Sequence, residues 1–182
     1  MTDYILESWL PTRTLDIDLY QLATLLHATV HDGASVSFIL PFTHQDSLDW
    51  WRAKILPQAM TNQRQILIVR HTATNSIIAA VQLILDMPPN QRHRAEVAKL
   101  LVHPEHRRHG LARALMTAIE HIAIEENRTL ITLDTITGSS AEPLYKSLGY
   151  QLSGTIPNYA RATHTPTLES TSIYYKLLIN EP

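Results

Sequence analysis

Apolar residues recur at Leu15, Leu19, Leu22, Leu26 and Val30, a spacing that predicts one helix with a single buried stripe. Asp16 or Thr14 is placed to cap it. Ahead of it, Tyr4 to Trp9 reads as a strand closed by Pro11. Ser47 is placed to cap a second helix through Leu48, Trp51, Ile55 and Ala59, which Pro57 either kinks or ends early. Ile66–Val69 and Ile77–Leu85, joined by a polar turn, read as a hairpin. Pro88-Pro89-Asn90 break the pattern before the apolar strand that contains Glu96 and ends at Leu100, Leu101 and Val102. Leu111, Leu115, Ile119 and Ile122 mark the next helix, from about residue 110 to 126. Thr129–Leu133 is a further strand, closed by Asp134, and a polar loop covers Thr135–Ser140. AEPLYKSLGY (141–150) reads as a short helix with Pro143 in its first turn and Gly149 at its end. Tyr150–Ile156 and Ile173–Ile179 are the last strands, separated by an irregular stretch from Pro157 to Ser170.

A helix between the strands at 97–102 and 129–133 implies a parallel crossover, while the hairpins imply antiparallel neighbours. A mixed sheet with helices on both faces packs such an order. A doubly wound dinucleotide fold fits poorly, since no GxGxxG is present. The 182 residues, 45% of them hydrophobic, suffice for one domain spanning 1–182 with a sizeable core. Fifteen basic against 17 acidic residues leave a net charge of -2, which offers no overall attraction to nucleic acid or anionic lipid. The absence of cysteine excludes disulfides, thiolate-ligated zinc and a thiol nucleophile. The ten histidines show no metal-binding spacing, so no metal is expected. MTDYILESWLP lacks the basic lead and apolar core of a signal peptide, and no apolar run approaches the ~18 residues of a membrane span. A soluble, cytoplasmic protein is expected.

The chemistry concentrates where strand meets helix. In HPEHRRHGLA (103–112) the proline stops the strand, two arginines and a glycine follow, and a helix begins. Free N–H groups of a first helical turn, aided by the helix dipole, make such a loop an anion site, and Gly110 lets backbone approach the anion. The plainer reading is a solvated basic turn.

RRHGLA (107–112) resembles the Arg/Gln-x-x-Gly-x-Gly/Ala motif of the GCN5-related N-acetyltransferase (GNAT) family. LDT (133–135) and AEPLYKSLGY follow in the family's order and at about its spacing. The likeness covers the whole chain. HDGASVSFI (31–39), RAEVAKLLV (94–102), LDTITGSSAEPLY (133–145) and SIYYKLL (172–178) resemble the tabtoxin-resistance acetyltransferase group in particular. The resemblance implies an α/β (α+β) fold with a central mixed, mostly antiparallel twisted sheet, a splayed parallel pair and helices on both faces. It also implies acetyl-CoA. The backbone at Leu101 and Val102, next to Leu100, would pair with its pantetheine arm, and the amides of Arg107, Arg108, His109, Gly110, Leu111 and Ala112 would hold its pyrophosphate. Many members carry Asn where Gly138 stands here, which leaves that pantetheine contact to Ser139 or Ser140, or unmade.

Transfer of an acetyl group to an amine requires that the ammonium lose a proton, that the reactants be held together, that the carbonyl be polarised and that the thiolate be protonated. With no cysteine, direct transfer in a ternary complex is expected. Glu96, a carboxylate in an apolar strand, is the first candidate for the base, and Asp134 the second. Positions matching these two are held to do this work in the tabtoxin-resistance group. In an unbulged strand Glu96, Ala98, Leu100 and Val102 share one face; a bulge changes that register. The structural alternative pairs Glu96 with Arg92, Arg94 or Lys99 and makes Asp134 a turn cap. Tyr145 matches the family's tyrosine near the coenzyme A sulfur and would act as the general acid. A core tyrosine is the alternative.

His31, Asp32, Ser35 and Tyr159 are candidate contacts to the acceptor, in loops that can close over a pocket. By the same resemblance the acceptor is a small amino-acid-like amine, with toxin resistance one possible task. A protein or peptide amine would instead need an open groove. A third reading is a catalytically idle acyl-CoA sensor, against which Glu96, Asp134 and Tyr145 together argue. Nucleic acid and membrane are not expected partners. The last strand, with Tyr174 and Tyr175, allows a monomer or a homodimer.

Overall fold

The computed structural model describes residues 3–11 and 15–178. Its elements are β1 (Tyr4–Ser8), α1 (Leu15–His31), α2 (His44–Trp50), a π-helical turn (Trp51–Ile55), α3 (Leu56–Met60), β2 (Arg64–His71) and β3 (Ile77–Ile84). There follow β4 (Arg94–Val102), α4 (Leu111–Glu125), β5 (Leu130–Ile136), α5 (Glu142–Ser147), β6 (Gln151–Arg161) and β7 (Leu168–Leu177). The strands form one sheet in the order β1-β2-β3-β4-β5-β7-β6. Among the described residues only β4 and β5 run parallel, joined through α4, as the sequence pattern predicts.

Both sheet faces are covered. Leu19, Leu22, Leu26 and Val30 of α1 pack with Trp51, Ile55, Ile66 and Ile68 on one face. Leu115, Met116 and Ile119 of α4 pack with Leu67, Val81, Leu83 and Ile131 on the other. The alternation of Ile66/Ile68 and Leu67/Val69 between these two cores is the period-two signature of a central strand.

β4 carries the feature that shapes the site. Ala80↔Leu101 is followed by Gln82↔Ala98, so β4 has one residue more than β3 across this step. The extra residue falls at Lys99, whose φ of 51° is left-handed. Ala95 and Val97 join the α4-side core, and so do Leu100 and Val102, while Leu101 crosses to the α1 side. The unbulged register, with Leu100 and Val102 on the face of Glu96, is therefore corrected.

Other differences are local. α2 is capped by Thr43, in a reciprocal box with Asp46, rather than by Ser47. Ser47 is fully buried and donates to the Ala23 carbonyl (2.9 Å), so its hydroxyl tethers α2 to α1. Pro57 neither ends the helix nor merely bends it: the turn before it widens, and Leu56 N–H donates to the Trp51 carbonyl. α1 begins at Leu15, with Asp16 in its first turn; Thr14 and Ile179 lie outside the described residues. Asp134 is inside β5, not at its end.

The stretch expected to be irregular is mostly strand. β6 runs to Arg161 and β7 starts at Leu168, with a register shift between Ile156 and Ala160 around Pro157 and Asn158 (φ 52°). An edge strand tolerates this, because a proline there gives up no hydrogen bond the sheet needs.

Leu26 is fully enclosed between α1 and the sheet. Leu26→Ala should lower unfolding free energy by about 2–5 kcal/mol in urea denaturation. A loss below ~1 kcal/mol would contradict the packing described.

Candidate active site

β4 and β5 are paired only at Arg94↔Leu130, Ala95↔Ile131 and Glu96↔Thr132. Beyond Glu96 the two strands part. β5 stays paired to β7 as far as Ile136, and β4 stays paired to β3 as far as Val102. The facing edges border a cavity of about 780 Å³. Val97, Ala98, Leu100 and Val102 line one wall, and Asp134, Thr135 and Ile136 the other.

The mouth of the cavity is the start of α4. Gly110 stands at the N-cap position with φ 78° and offers no side-chain cap, leaving the first-turn N–H groups of the helix without partners from the cap. A Cβ built on Gly110 would meet nothing within 4 Å, so the space before these donors is open. Arg107, Arg108, Leu111 and Ala112 line the same mouth, as does Arg113. Open amides, a helix dipole and arginines together suit an anion. The Asp32 carboxylate lies 2.5 Å from Nη1 of Arg107, so the α1–α2 loop is tied to the anion loop.

Tyr145 borders the cavity from α5, buried against Tyr150 and Tyr174 with ring centroids about 6 Å away. Loss of solvent, with Asp134 adding to it, pushes its phenol up to about 12. Asp134 lines the cavity directly. Glu96 sits one layer back. It does not border the cavity, and its carboxylate lies 3.4 Å from Nη1 of Arg94, which also donates to the Thr132 hydroxyl.

Ser139 and Ser140 border the cavity beside the Gly138 turn, and Ser35 and Asp32 border it from the α1–α2 loop. Two expected acceptor contacts, His31 and Tyr159, are placed elsewhere; at Leu101 and His109 the expectation concerns the backbone, and only their side chains lie off the cavity. The Leu101 side chain is buried in the α1-side core. His109 stands off the cavity, its Nδ1 3.2 Å from the His106 carbonyl. His31 lies in a second, shallower depression with His27 and His44, its Nε2 2.8 Å from the Phe42 carbonyl. Tyr159 is exposed on edge strand β6. His31 turns away because helical spacing carries it to the α2 side of α1.

Lys99, which the sequence offers only as a partner for Glu96, also borders the cavity. Its Nζ donates to the Ser37 hydroxyl (2.9 Å) and lies 5.8 Å from the ring centroids of both Phe38 and Trp50. Desolvation brings its pKa down to about 8, against the pull of Asp134 and Glu96 and with the push of Arg64. A lysine inside the apolar run VAKLLV was the available signal.

A profile of the Acetyltransferase (GNAT) family matches residues 28–150. The chain belongs to the GNAT family. Acetyl transfer from acetyl-CoA is the general chemistry of that family. Among GNAT-fold structures, an N-acetyltransferase from Staphylococcus aureus Mu50 superposes with a TM-score of 0.78 at 14% identity, covering 98% of this chain and 100% of that one. YncA of Salmonella typhimurium, solved with its cofactor acetyl-CoA, superposes with a TM-score of 0.75 at 15% identity, covering 100% and 97%. Human N-acetyltransferase 8 is 36% identical over 73 residues, which is 40% of this chain and 32% of that protein, so the match spans about a third of its length. At these identities the two structures speak for the GNAT fold alone. The residues present suit acetyl-CoA: unpaired strand edges for the amide-bearing arm, and open amides with arginines for the diphosphate. Among the described residues no group of three or more His, Asp or Glu is placed to hold a metal ion, and no helix is long and apolar enough to cross a membrane.

Lys99 makes stability depend on pH with a definite sign. Its pKa is about 8 folded and 10.5 ordinarily, so between those values the unfolded chain holds a proton that the folded chain lacks. Stability from this group therefore rises with pH across that window and is lowest below it. Urea midpoints of Lys99→Met relative to wild type should be most favourable near neutrality and should fall as pH approaches 10.5. A difference that does not vary with pH would refute the assignment.

Proposed function

We propose that this chain is an N-acetyltransferase acting on the primary amine of a small, amino-acid-like molecule, by direct transfer in a ternary complex. The observation that carries the small-acceptor reading is the pairing of the α1–α2 loop, which borders the cavity, with the β6–β7 hairpin end. The Thr163 hydroxyl donates to the Ala34 carbonyl (3.1 Å), and Leu40 N–H donates to the Thr163 carbonyl (3.1 Å). His164 stands against Gly33, where a Cβ would meet its Nε2 at 3.3 Å. The α1–α2 loop and the β6–β7 hairpin end are thereby zipped together, which favours a pocket over an open groove for a protein chain. The sequence stretches that resemble the tabtoxin-resistance group point the same way.

When bound, acetyl-CoA supplies an activated acyl group as a thioester. The chain's residues do the rest. First-turn amides of α4 with Arg107 and Arg108 hold the diphosphate, and the parted edges of β4 and β5 hold the arm in line. Asp134, on the cavity wall, receives the proton of the acceptor ammonium, and its charge together with that of Glu96 draws a cationic amine inward. Tyr145, kept protonated by burial, donates its O–H to the departing thiolate.

Thiol release from acetyl-CoA against amino acids, amino-acid-like toxins, polyamines and lysine peptides tests this reading. An amine-dependent rate with amino-acid-like acceptors is expected, reduced about 10²- to 10⁴-fold in Glu96→Gln or Asp134→Asn if that residue is the base. Turnover confined to lysine peptides would replace the small acceptor by a protein. Binding of acetyl-CoA with no turnover on any amine would favour an acyl-CoA sensor.

A further inference from the structure

The acid–base scheme makes no use of Lys99, yet the fold goes to some length to place it. A left-handed backbone is unfavourable at a residue with a Cβ, and the sheet accepts it at this position. The consequence is that an amine leaves the α4-side core and enters the cavity shared by Asp134 and Tyr145. There the Ser37 hydroxyl and the faces of Phe38 and Trp50 hold Nζ in one place. The other lysines lie in different settings. Lys54 and Lys146 are exposed, and Lys176 is paired with Glu120 at 2.6 Å.

We propose that Lys99 is an internal acceptor: with acetyl-CoA bound and no amine in the cleft, the protein acetylates its own Lys99 side chain. This rests on the acetyl-CoA reading above. The neutral amine attacks the thioester carbonyl carbon, so that a nitrogen–carbon bond forms as the carbon–sulfur bond breaks. The proton lost by nitrogen passes to Asp134, and the sulfur leaves as the thiol, protonated by Tyr145. One amine and one thioester become one amide and one thiol, with no change in oxidation state. Burial favours the neutral amine, since the groups facing it are Asp134 on β5, Glu96 on β4 and Arg64 on β2, and desolvation outweighs the two carboxylates. The amide is stable, so each chain reacts once and then carries an uncharged side chain beside Ser37, Phe38 and Trp50.

The test uses the full chain with acetyl-CoA and no acceptor, read by intact mass and peptide mapping. The expected result is a gain of one acetyl group, mapped to Lys99, with one thiol released per chain as a burst. Both should be lost in Lys99→Arg, with Lys54 and Lys146 reporting any non-enzymatic background. Competitive labelling by trace acetic anhydride, without coenzyme, should show Lys99 titrating at lower pH than Lys54 and Lys146. Acetyl-CoA binding without acetylation at Lys99, or Lys99 labelling with the same pH profile as the exposed lysines, would overturn the inference while leaving the proposed function intact. A failure of acetyl-CoA to bind at all would overturn both.

Discussion

One extra residue in β4 forces the chain through a left-handed step at Lys99, and that step reverses the facing of every side chain after it. Before it, Ala95 and Val97 anchor the strand to the α4-side core. After it, Leu101 plugs the α1-side core while Leu100 and Val102 remain at the cavity wall. Both ends of the strand are therefore held firmly, on opposite faces, and the misfit is absorbed in the middle. The strand leaves β5 in the same stretch, just after Glu96↔Thr132, and the cleft opens there.

Several charged groups at the cleft are paired within the protein. Arg107 is paired with Asp32, a contact worth roughly 0–1 kcal/mol at such exposure, so a diphosphate with greater charge can take the arginine over. Asp134 and Glu96 both act on the charge of Lys99, and Arg94 is paired with Glu96. Arg64 is bonded to Gln82 on the same face, where Gln82 is wholly buried. Arg107, Glu96 and Arg64 thus have polar partners within the protein before any ligand arrives, as electrostatic preorganisation requires.

The proposed acceptor side depends on contacts between parts of the chain far apart in sequence. Thr163 reaches Ala34 and Leu40 from the hairpin end of β6 and β7, and the two loops shape each other. Loops held this way by backbone bonds keep a pocket's outline while their side chains vary, which leaves acceptor choice to a few positions.

Much of this was legible in the residues alone. The stripe of α1, the hairpin of β2 and β3, the crossover through α4 and the glycine at its N-cap all follow from local period and local backbone freedom. So does the family, since the RRHGLA loop, Asp134 and Tyr145 lie in short contiguous motifs. What the sequence could not decide was anything that depends on an offset between strands. The bulge at Lys99 exists because β4 must serve two cores at once, and no pattern within β4 announces which residue will take the left-handed step. The strand character of residues 157–161 was hidden by a proline that only an edge position tolerates. Ser47 looks like a cap and is a buried tether, because its partner is Ala23 on another helix. Local propensity names the elements; long-range register and burial decide which side chains meet.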